Sequence, residues 1–391
     1  MKKILLGTAL AAAFIGTALG KNRLVHTQQE FETALTQTQP GDAVVIANGT
    51  YTPWELNITI SGTAEKPVTI RAEAEGKVTF TGDVYDHIFR ITGNYVILNG
   101  ITFSGCNVLK KGNKNALLIE FFNTKNGRLS KCMFTKNTGK SQFMPLVVIS
   151  GYGENNRVTN NAFIADVDDM EVQVKVTKED CPKYTLIDHN TFKDKPKVSW
   201  PIYNGGECVQ IGQDPILLGN LVPNATVREN VFIHCDGEPE VISNKSTGNK
   251  YIKNYFEDCQ GELVMRGGHD CLVDSNKFKG GIGGIRVNGT GHTITNNNIS
   301  NIKTAIRLMY GMAKGKEVTG FYIAASGCTV KYNHITNASV AILVGDSKNV
   351  DWTGKFDTNR YPSRTMQDVA PFDNQFVGNV FTGAEKEIVY N

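Results

Sequence analysis

One short pattern of apolar and polar positions recurs along this chain. It consists of an apolar residue, a short polar spacer, Asn, any residue, and then Phe or Ile. Four successive Asn positions, from residue 230 to residue 297, are separated by intervals of 24, 22 and 21 residues. Wider intervals elsewhere are consistent with loops inserted into single repeats. The pattern has its Asn at Asn161, Asn190, Asn230, Asn254, Asn276, Asn297 and Asn333.

A period in the low twenties without long helical stripes predicts a solenoid. The Leu-x-x-Leu-x-Leu spacing of leucine-rich repeats is absent. We therefore expect an all-β, right-handed parallel β-helix, whose coils lie ~4.8 Å apart so that equivalent side chains form ladders. The recurring Asn is expected to form a turn ladder, bonding the backbone of the next coil and tolerating left-handed geometry, without a catalytic role.

The sequence that follows the first 20 residues predicts a helix. Thr27-Gln28-Gln29-Glu30 matches a capping box ahead of apolar Phe31, which predicts a short amphipathic helix. We expect this helix to cover the open end of the β-helix. No Pro/Ser-rich linker or composition break marks a boundary, so residues 21–391 are predicted to form one domain, and we expect a monomer.

The first residues resemble a secretory signal peptide. Met1-Lys2-Lys3 precedes an apolar run from Ile4 to Leu19, followed by Gly20. The run is too short and wrongly flanked for a stable membrane anchor, so residues 1–20 are predicted to be cleaved, with no membrane insertion. No Cys precedes Cys106, so a lipoprotein attachment site is lacking. The expected location is secreted or periplasmic.

The eight cysteines of an exported chain raise the question of disulfides. Cys235 and Cys259 each follow their repeat Asn by five residues, which predicts that they stack on consecutive coils. Parallel, in-register side chains seldom reach the dihedral angle that a disulfide needs, so buried free thiols are expected. The absence of any CxxC pair disfavours structural zinc.

Net charge excludes one broad class of function. The chain carries a formal charge of +3, and loss of Lys2 and Lys3 would leave about +1. This balance argues against a generally basic, nucleic-acid-binding surface. An anionic substrate would need a local basic patch.

Strand alternation, counted from the repeat Asn, predicts which side chains face outward. Odd offsets are apolar and are predicted to fill the core: Pro239, Val241, Leu263, Met265, Ile285 and Val287. Even offsets are predicted to face solvent: Glu238, Glu240, Ile242, Glu262, Val264, Arg266, Gly284, Arg286 and Asn288. The same parity turns Asn204, Cys208, Gln210 and Arg307 outward.

One face would then combine acidic and basic side chains, with Asn204 at one side. An ordinary solvated surface with compensating charges is the plain interpretation. However, Glu238 and Glu240 are i, i+2 neighbours, whose charges repel unless a cation lies between them. Carboxylate and amide oxygens suit Ca²⁺ better than transition metals. The face therefore indicates a calcium-assisted site.

Three blocks on these coils resemble the signature blocks of polysaccharide lyase family 6, which contains alginate lyases and chondroitinase B. They are NGGECVQIG at 204–212, CDGEPEVISNKS at 235–246 and QGELVMRGG at 260–268. Residues 40–51 resemble the first coil of the family. The likeness thus spans most of the chain after the predicted signal peptide.

The resemblance implies a parallel β-helix that holds Ca²⁺ through Asn204, Glu238 and Glu240. It further implies a Brønsted base at Lys245 and an acid-side role for Arg266. Family members usually have His directly after this Arg, whereas the present chain has Gly267. The nearest imidazole is that of His269, fifteen residues after Asn254. Lys245 follows Asn230 by the same number of residues, so His269 could approach the site from the next coil. Candidate substrate-binding residues are His269, Arg286, Arg307, Lys250 and Glu262.

The implied reaction is β-elimination from an anionic uronate polysaccharide, in which a base removes the C5 proton and the C4 glycosidic oxygen leaves. The Asn-Gly-Gly-Glu form and the single domain favour alginate. A dermatan sulfate lyase like chondroitinase B is the alternative within the family. A β-helical glycoside hydrolase would need an acid and a second carboxylate, and neighbouring Lys and Arg fit elimination better. A β-helical carbohydrate-binding protein with weakened catalysis is the non-enzymatic alternative, favoured by Gly267.

Overall fold

A computed structural model describes residues 20–214, 219–316, 320–360 and 362–391. The predicted signal peptide, apart from Gly20, lies outside the described residues. In the described part of the chain, parallel strands dominate and one α-helix is present. No helix there is long and apolar enough to cross a membrane. The fold is the predicted parallel β-helix.

The helix spans Gln28–Thr36 and confirms the predicted N-terminal cap. Thr27 Oγ1 accepts a hydrogen bond of 3.1 Å from the backbone N–H of Glu30. Phe31 is fully buried, and its ring centroid lies 6.4 Å from that of Phe89. The apolar side of the helix therefore closes the first coils.

Strands at equivalent positions of successive coils pair in parallel and form three ladders. Ladder 1 is a sheet of Asn22–Val25, Ala43–Ile46, Val68–Ala72, Val96–Asn99, Arg128–Ser130, Arg157–Thr159, Leu186–Asp188, Thr226–Arg228, Lys250–Ile252, Leu272–Asp274, Thr293–Thr295, Thr329–Lys331 and Gln375–Val377.

The second sheet bends into two ladders. Ladder 2 contains Gly49–Tyr51, Val78–Val84, Thr102–Val108, Met133–Thr135, Thr138–Gly139, Ala162–Ile164, Thr191–Lys195, Val231–Cys235, Tyr255–Glu257, Lys277–Lys279 and Val380–Thr382. Ladder 3 contains Leu56–Ile58, Phe89–Ile91, Ile119–Phe122, Pro145–Ser150, Met170–Val174, Val209–Ile211, Glu240–Lys245, Glu262–Gly267, Gly283–Val287 and Lys386–Tyr390. Two long strands run through both ladders, Asn298–Met309 and His334–Asp346. A separate antiparallel pair joins Lys110–Lys111 to Lys114–Asn115.

The recurring Asn residues form the predicted ladder. The Asn230 backbone N–H and Nδ2 both donate to Asn254 Oδ1, and Nδ2 also donates to the Ile187 carbonyl. The left-handed backbone, however, belongs to the preceding residue, as at Glu229 (φ 54°) and Lys253 (φ 53°). That residue makes the bend, so the Asn side chain is directed into the turn and is buried there. The same arrangement links Asn161, Asn190, Asn230, Asn254, Asn276, Asn297, Asn333 and Asn379.

The residue two places after each Asn builds the core. Parallel phenylalanine rings stack with centroids 4.4 to 5.0 Å apart, a favourable aromatic spacing. Cys235 and Cys259 lie on consecutive coils of the same interior as buried free thiols, as predicted. The stack comprises Phe103, Phe134, Phe163, Phe192, Phe232, Phe256 and Phe278.

Strand alternation placed the core residues correctly in two coils and wrongly in a third. Leu263 and Ile285 fill the core as expected. In the strand Glu240–Lys245, the register shifts after Glu240, and Ile242 pairs with Leu263. This β-bulge adds one residue, which moves the following side chains to the opposite face. Ile242 is therefore in the core, contrary to the prediction. Pro239, which precedes the bulge, is exposed and was also wrongly predicted to lie in the core.

The predicted exposure of the opposite face of these strands is wrong, because Phe321, Tyr322 and Ile323 cover part of it. The buried residues that were predicted to face solvent are Gln210, Glu238, Glu240, Glu262, Val264, Gly284 and Asn288.

Cys208 was also predicted to face outward, and it lies in the core. Its backbone N–H donates to the Val241 carbonyl, level with the extra residue of the bulge. The alternation of inward and outward side chains therefore does not extend from Gln210 back to Cys208. The same irregularity shapes the site described next.

Candidate active site

Three carboxylates converge where ladder 3 begins on two adjacent coils. Glu207 precedes the strand Val209–Ile211, and Glu238 and Glu240 lie at the start of Glu240–Lys245. Each side chain is buried, and one oxygen of each lies within 4.8 Å of the others. The arrangement concentrates negative charge in a small volume.

Hydrogen bonds from backbone and side-chain amide groups hold the segment beside these carboxylates. The Gly205 N–H donates to Glu238 Oε2 at 2.8 Å. Gln142 Nε2 donates to the backbone carbonyl of Asn204 at 2.9 Å. Asn204 therefore lies directly beside the carboxylates, held by a loop from an earlier coil.

Three cations face the carboxylates from the same strand and the next two coils. Lys245 Nζ is 3.3 Å from Glu207 Oε1. Arg266 Nη1 is 3.4 Å from Glu240 Oε1, and Arg286 hydrogen-bonds the same oxygen. The ladder thus brings together an ammonium, two guanidinium groups and the carboxylates, although they are separated by as many as 79 residues in sequence.

The two carboxyls of the Glu-Pro-Glu segment have opposite electrostatic environments. Burial raises the pKa of Glu238, and repulsion from Glu207 and Glu240 raises it further. Burial would also raise the pKa of Glu240, but Arg266, Arg286 and Lys245 outweigh it and hold the value at about 2. Glu240 is thus fixed as an anion, whereas Glu238 lacks an adequate counter-charge.

Arg266 is enclosed by aromatic rings from a later loop. Its guanidinium carbon lies 4.9 Å from the centroid of Phe321 and 5.2 Å from that of Tyr322, which are cation–π distances. Burial opposes its charge, while Tyr322 and Glu240 favour it, and the net effect raises its pKa. Arg266 is therefore a permanently charged group with a fixed orientation.

Glu262 and Arg307, both predicted to bind substrate, pair with each other. Arg307 Nε donates to Glu262 Oε1 at 3.1 Å, and its Nη2 bonds the other oxygen. Arg307 Nη1 also donates to Asp346 at 2.6 Å. This part of the face is a charge-compensated network beside the carboxylate group.

The remaining two candidates lie farther from the carboxylates in the coil. Lys250 is exposed at the start of a ladder 1 strand, outside ladder 3. His269 lies level with Gly248, whose N–H donates to its carbonyl, and its Nδ1 accepts a hydrogen bond from Thr290. The residue paired with Lys245 is Gly267, because the register shifts again after Asn244. The fifteen-residue count therefore does not place His269 level with Lys245.

Sequence reasoning missed two parts of the site. Glu207 belongs to the Asn-Gly-Gly-Glu block, and the close spacing of that block to Asn204 could have identified it as a third carboxylate. The aromatic pair over Arg266 follows it by more than fifty residues and shares no repeat pattern with it. No sequence signal linked those rings to the site.

The residues present fit a hard divalent cation. Glu207 Oε2 is buried without a hydrogen-bond partner, and an orphaned buried carboxylate oxygen is costly. Three carboxylates whose oxygens converge form an oxygen-only set of the kind that Ca²⁺ prefers, and the backbone of Asn204 adjoins them. The fit rests on this donor chemistry.

The fold and the site define a parallel β-helix protein with a carboxylate-rich, cation-flanked patch on one sheet. A profile of the family described as Chondroitinase B matches residues 25–390. The chain belongs to this family, that of the polysaccharide lyases of family 6. A comparison with curated proteins finds no match.

Several solved structures share this fold. A mannuronic acid specific family 6 lyase from human gut microbiota is 25% identical, with a TM-score of 0.79 over 95% of this chain and 82% of that one. The family 6 lyase Pedsa3628 from Pseudopedobacter saltans is 21% identical, with a TM-score of 0.77 over 94% and 91%. The alginate lyase AlyGC is 23% identical, with a TM-score of 0.76, and this chain covers 95% of its own length and 53% of AlyGC.

Proposed function

We propose that this protein is an exported, calcium-dependent lyase that cleaves a uronate polysaccharide, most favourably alginate, by β-elimination. The observation that carries the proposal is the convergence of Lys245, Arg266 and three carboxylates on adjacent coils. The mannuronic acid specificity of the 25% identical lyase supports alginate. The apolar segment after Lys3 supports export.

Different residues of this chain are proposed to bind the metal ion and the substrate. A calcium ion held by Glu207, Glu238 and Glu240, with Asn204 beside them, would supply Lewis-acid neutralisation of the uronate carboxylate. Arg286 lies one coil beyond Arg266 on the same face and is placed to bind a carboxylate of a neighbouring sugar.

Lys245 is the proposed base for the C5 proton. An amine accepts a proton only when it is neutral, and Lys245 Nζ lies 3.3 Å from Glu207 Oε1. The buried position of Lys245 keeps water from competing for the same contact.

Arg266 is proposed to stabilise negative charge on the departing C4 oxygen. Its guanidinium stays charged and is a poor proton donor. The rings of Phe321 and Tyr322 hold it in one orientation, so little reorganisation is needed as charge develops. The proton that the leaving oxygen finally takes can come from water.

Product chemistry tests the proposal. The purified protein is incubated with alginate, dermatan sulfate and pectate, and both reducing ends and the ultraviolet absorbance of a new double bond are followed. We expect both signals from alginate, their loss in excess chelator, and their return with Ca²⁺. Reducing ends without the absorbance would indicate a hydrolase, and binding without either product would indicate a carbohydrate-binding protein.

Dermatan sulfate remains the second candidate substrate because the matching family is described as Chondroitinase B. The same assay separates the two candidates through the ratio of initial rates. A higher rate on dermatan sulfate than on alginate would contradict the alginate assignment while leaving the elimination mechanism intact.

A further inference from the structure

A column of polar side chains runs through the interior of the β-helix behind the carboxylate site. It occupies the position three residues after each stacked phenylalanine from Phe103 to Phe256, where the core turns from ladder 2 to ladder 3. Asn137 donates to Asp166 Oδ1 from both its backbone N–H and its Nδ2. From one coil to the next, the column contains Cys106, Asn137, Asp166, Lys195, Cys235 and Cys259.

Lys195 is the only lysine of this column, and its side chain is fully buried. Its Nζ lies 2.6 Å from Asp169 Oδ1 and 3.4 Å from Glu171 Oε1, both of them also fully buried. Breaking such a pair by removing one partner is strongly destabilising, because an uncompensated charge stays buried. Lysine side chains are almost never fully buried unless they are paired.

Backbone contacts connect the ion group to the site carboxylates on one side. The chain leaving Lys195 pairs with the segment that leads into Glu238: the Asp236 N–H donates to the Lys195 carbonyl, and the Val198 N–H donates to the Gly237 carbonyl. A Cβ added at Gly237 would lie 3.0 Å from Lys195 Cε, so the lysine stem fills the space beneath this glycine.

Glu171, the second acidic partner of Lys195, is connected to the loop that contains Glu207. The Glu171 N–H donates to the Glu207 carbonyl at 3.2 Å, and the Val172 N–H donates to the Cys208 carbonyl. The two loops also touch each other, since a Cβ on Gly237 would lie 2.2 Å from the Gly206 carbonyl oxygen. Each glycine immediately precedes a carboxylate of the site.

We propose that Lys195, clamped by Asp169 and Glu171, is a positioning group that sets the spacing between Glu207 and Glu238. The ion pairs of Lys195 fix the core beneath the point where Gly206-Glu207 contacts Gly237-Glu238. They thereby fix the relative positions of the proposed metal-binding carboxylates. This inference rests on the proposed calcium-dependent function for its Ca²⁺-binding readout, but not for its hydrogen-exchange readout.

The test uses the full chain carrying Lys195→Met, which keeps an unbranched stem and removes the charge. Its matched control is Lys193→Met, on the same strand but with an exposed side chain. Calorimetry gives the Ca²⁺ dissociation constant, and hydrogen–deuterium exchange reports on residues 204–208 and 236–240. We expect Ca²⁺ affinity to fall about 10–100-fold, the range for outer-shell changes at metal sites, with faster exchange in both segments.

A merely structural role would lower the melting temperature and leave the dissociation constant of the folded protein unchanged. Folded Lys195→Met with Ca²⁺ affinity within twofold of the parent protein and parental exchange would overturn the inference. Should Lys195→Met fail to fold, Glu171→Gln carries the same two measurements and the same criterion. A parent protein that binds no Ca²⁺ would instead count against the proposed function, and the exchange measurement alone would then decide the inference.

Discussion

At the residue scale, the proposed chemistry depends on one lysine in an acidic environment. Lys245 has a side chain only 8% exposed and forms an ion pair with Glu207. A lysine in such a position can be held for structure or used as a base. Its contact with Glu207 and its position on the strand that begins at Glu240 are the reasons for proposing it as the base.

Replacement of Lys245 by methionine should lower turnover by about 10²–10⁴-fold, the contribution typical of general base catalysis. Substrate affinity should change far less, because Arg266 and Arg286 remain. Initial rates from double-bond absorbance check this, with circular dichroism to show that the protein is folded. Lys277→Met, at an exposed ladder 2 position, is the control and should retain parental rates. Parental activity of folded Lys245→Met would remove the residue from the base role.

Glu207 is the residue that the sequence left without a role. Glu207→Gln keeps the size of the side chain and removes one charge from the carboxylate group. We expect at least about a tenfold loss of Ca²⁺ affinity, measured by calorimetry, because changes even outside the first ligand shell cost 10–100-fold. Glu257→Gln, in a surface pair with Lys279, should bind Ca²⁺ as the parent protein does. Equal affinity of Glu207→Gln and the parent protein would exclude Glu207 as a ligand.

At the scale of single elements, the turn ladder shows what a repeat makes predictable. Asn254 accepts two hydrogen bonds from Asn230 and donates to the Val227 carbonyl and to Asn276. A pattern of Asn positions in sequence therefore corresponds to one continuous physical structure. The fold class and the buried thiols could be predicted because each depends on this repeat alone.

The bulge at Glu240–Lys245 could not be predicted in the same way. Val241 and Ile242 are both apolar, so either could fill the core, and alternation gives no sign of an inserted residue. Position counts across the bulge consequently failed for Ile242 and for His269. Bulges often occur beside active sites, where they redirect side chains, and this one separates Glu240 from Lys245 along a single strand.

The turn ladder can be tested at one rung. Asn254→Ala removes the acceptor of the Asn230 N–H and Nδ2, and each buried donor left unsatisfied costs about 1–3 kcal/mol. Denaturant unfolding should therefore show a loss of at least about 1 kcal/mol in the free energy of unfolding. Asn298→Ala, whose side chain is exposed in the strand beside Phe278, should lie within about 0.5 kcal/mol of the parent protein. Equal stability of the two variants would contradict the structural role of the ladder.

At the scale of the whole molecule, the site is assembled by stacking and completed by a loop. Each coil contacts its neighbours, so Glu207, Glu240, Arg266 and Arg286 meet through successive rungs of ladder 3. Phe321 reaches Arg266 from outside the repeat. The sequence predicted the stacked part because its geometry repeats, and it missed the loop because loop packing depends on contacts with no periodic signal.

The same one-dimensional architecture predicts how damage at the N-terminal cap spreads. Phe31→Ala empties a buried aromatic position against Phe89 and should cost about 3–5 kcal/mol locally. Because stability in a solenoid is close to a sum over neighbouring coils, hydrogen exchange should accelerate in Ala43–Ile46 and Leu56–Ile58 and stay unchanged in Glu262–Gly267. Leu24→Ala, half exposed in the first strand, is the control and should leave exchange unchanged. Uniformly faster exchange in all coils of Phe31→Ala would show instead that the β-helix opens as a single cooperative unit, in which case the cap would stabilise the distant carboxylate site as well.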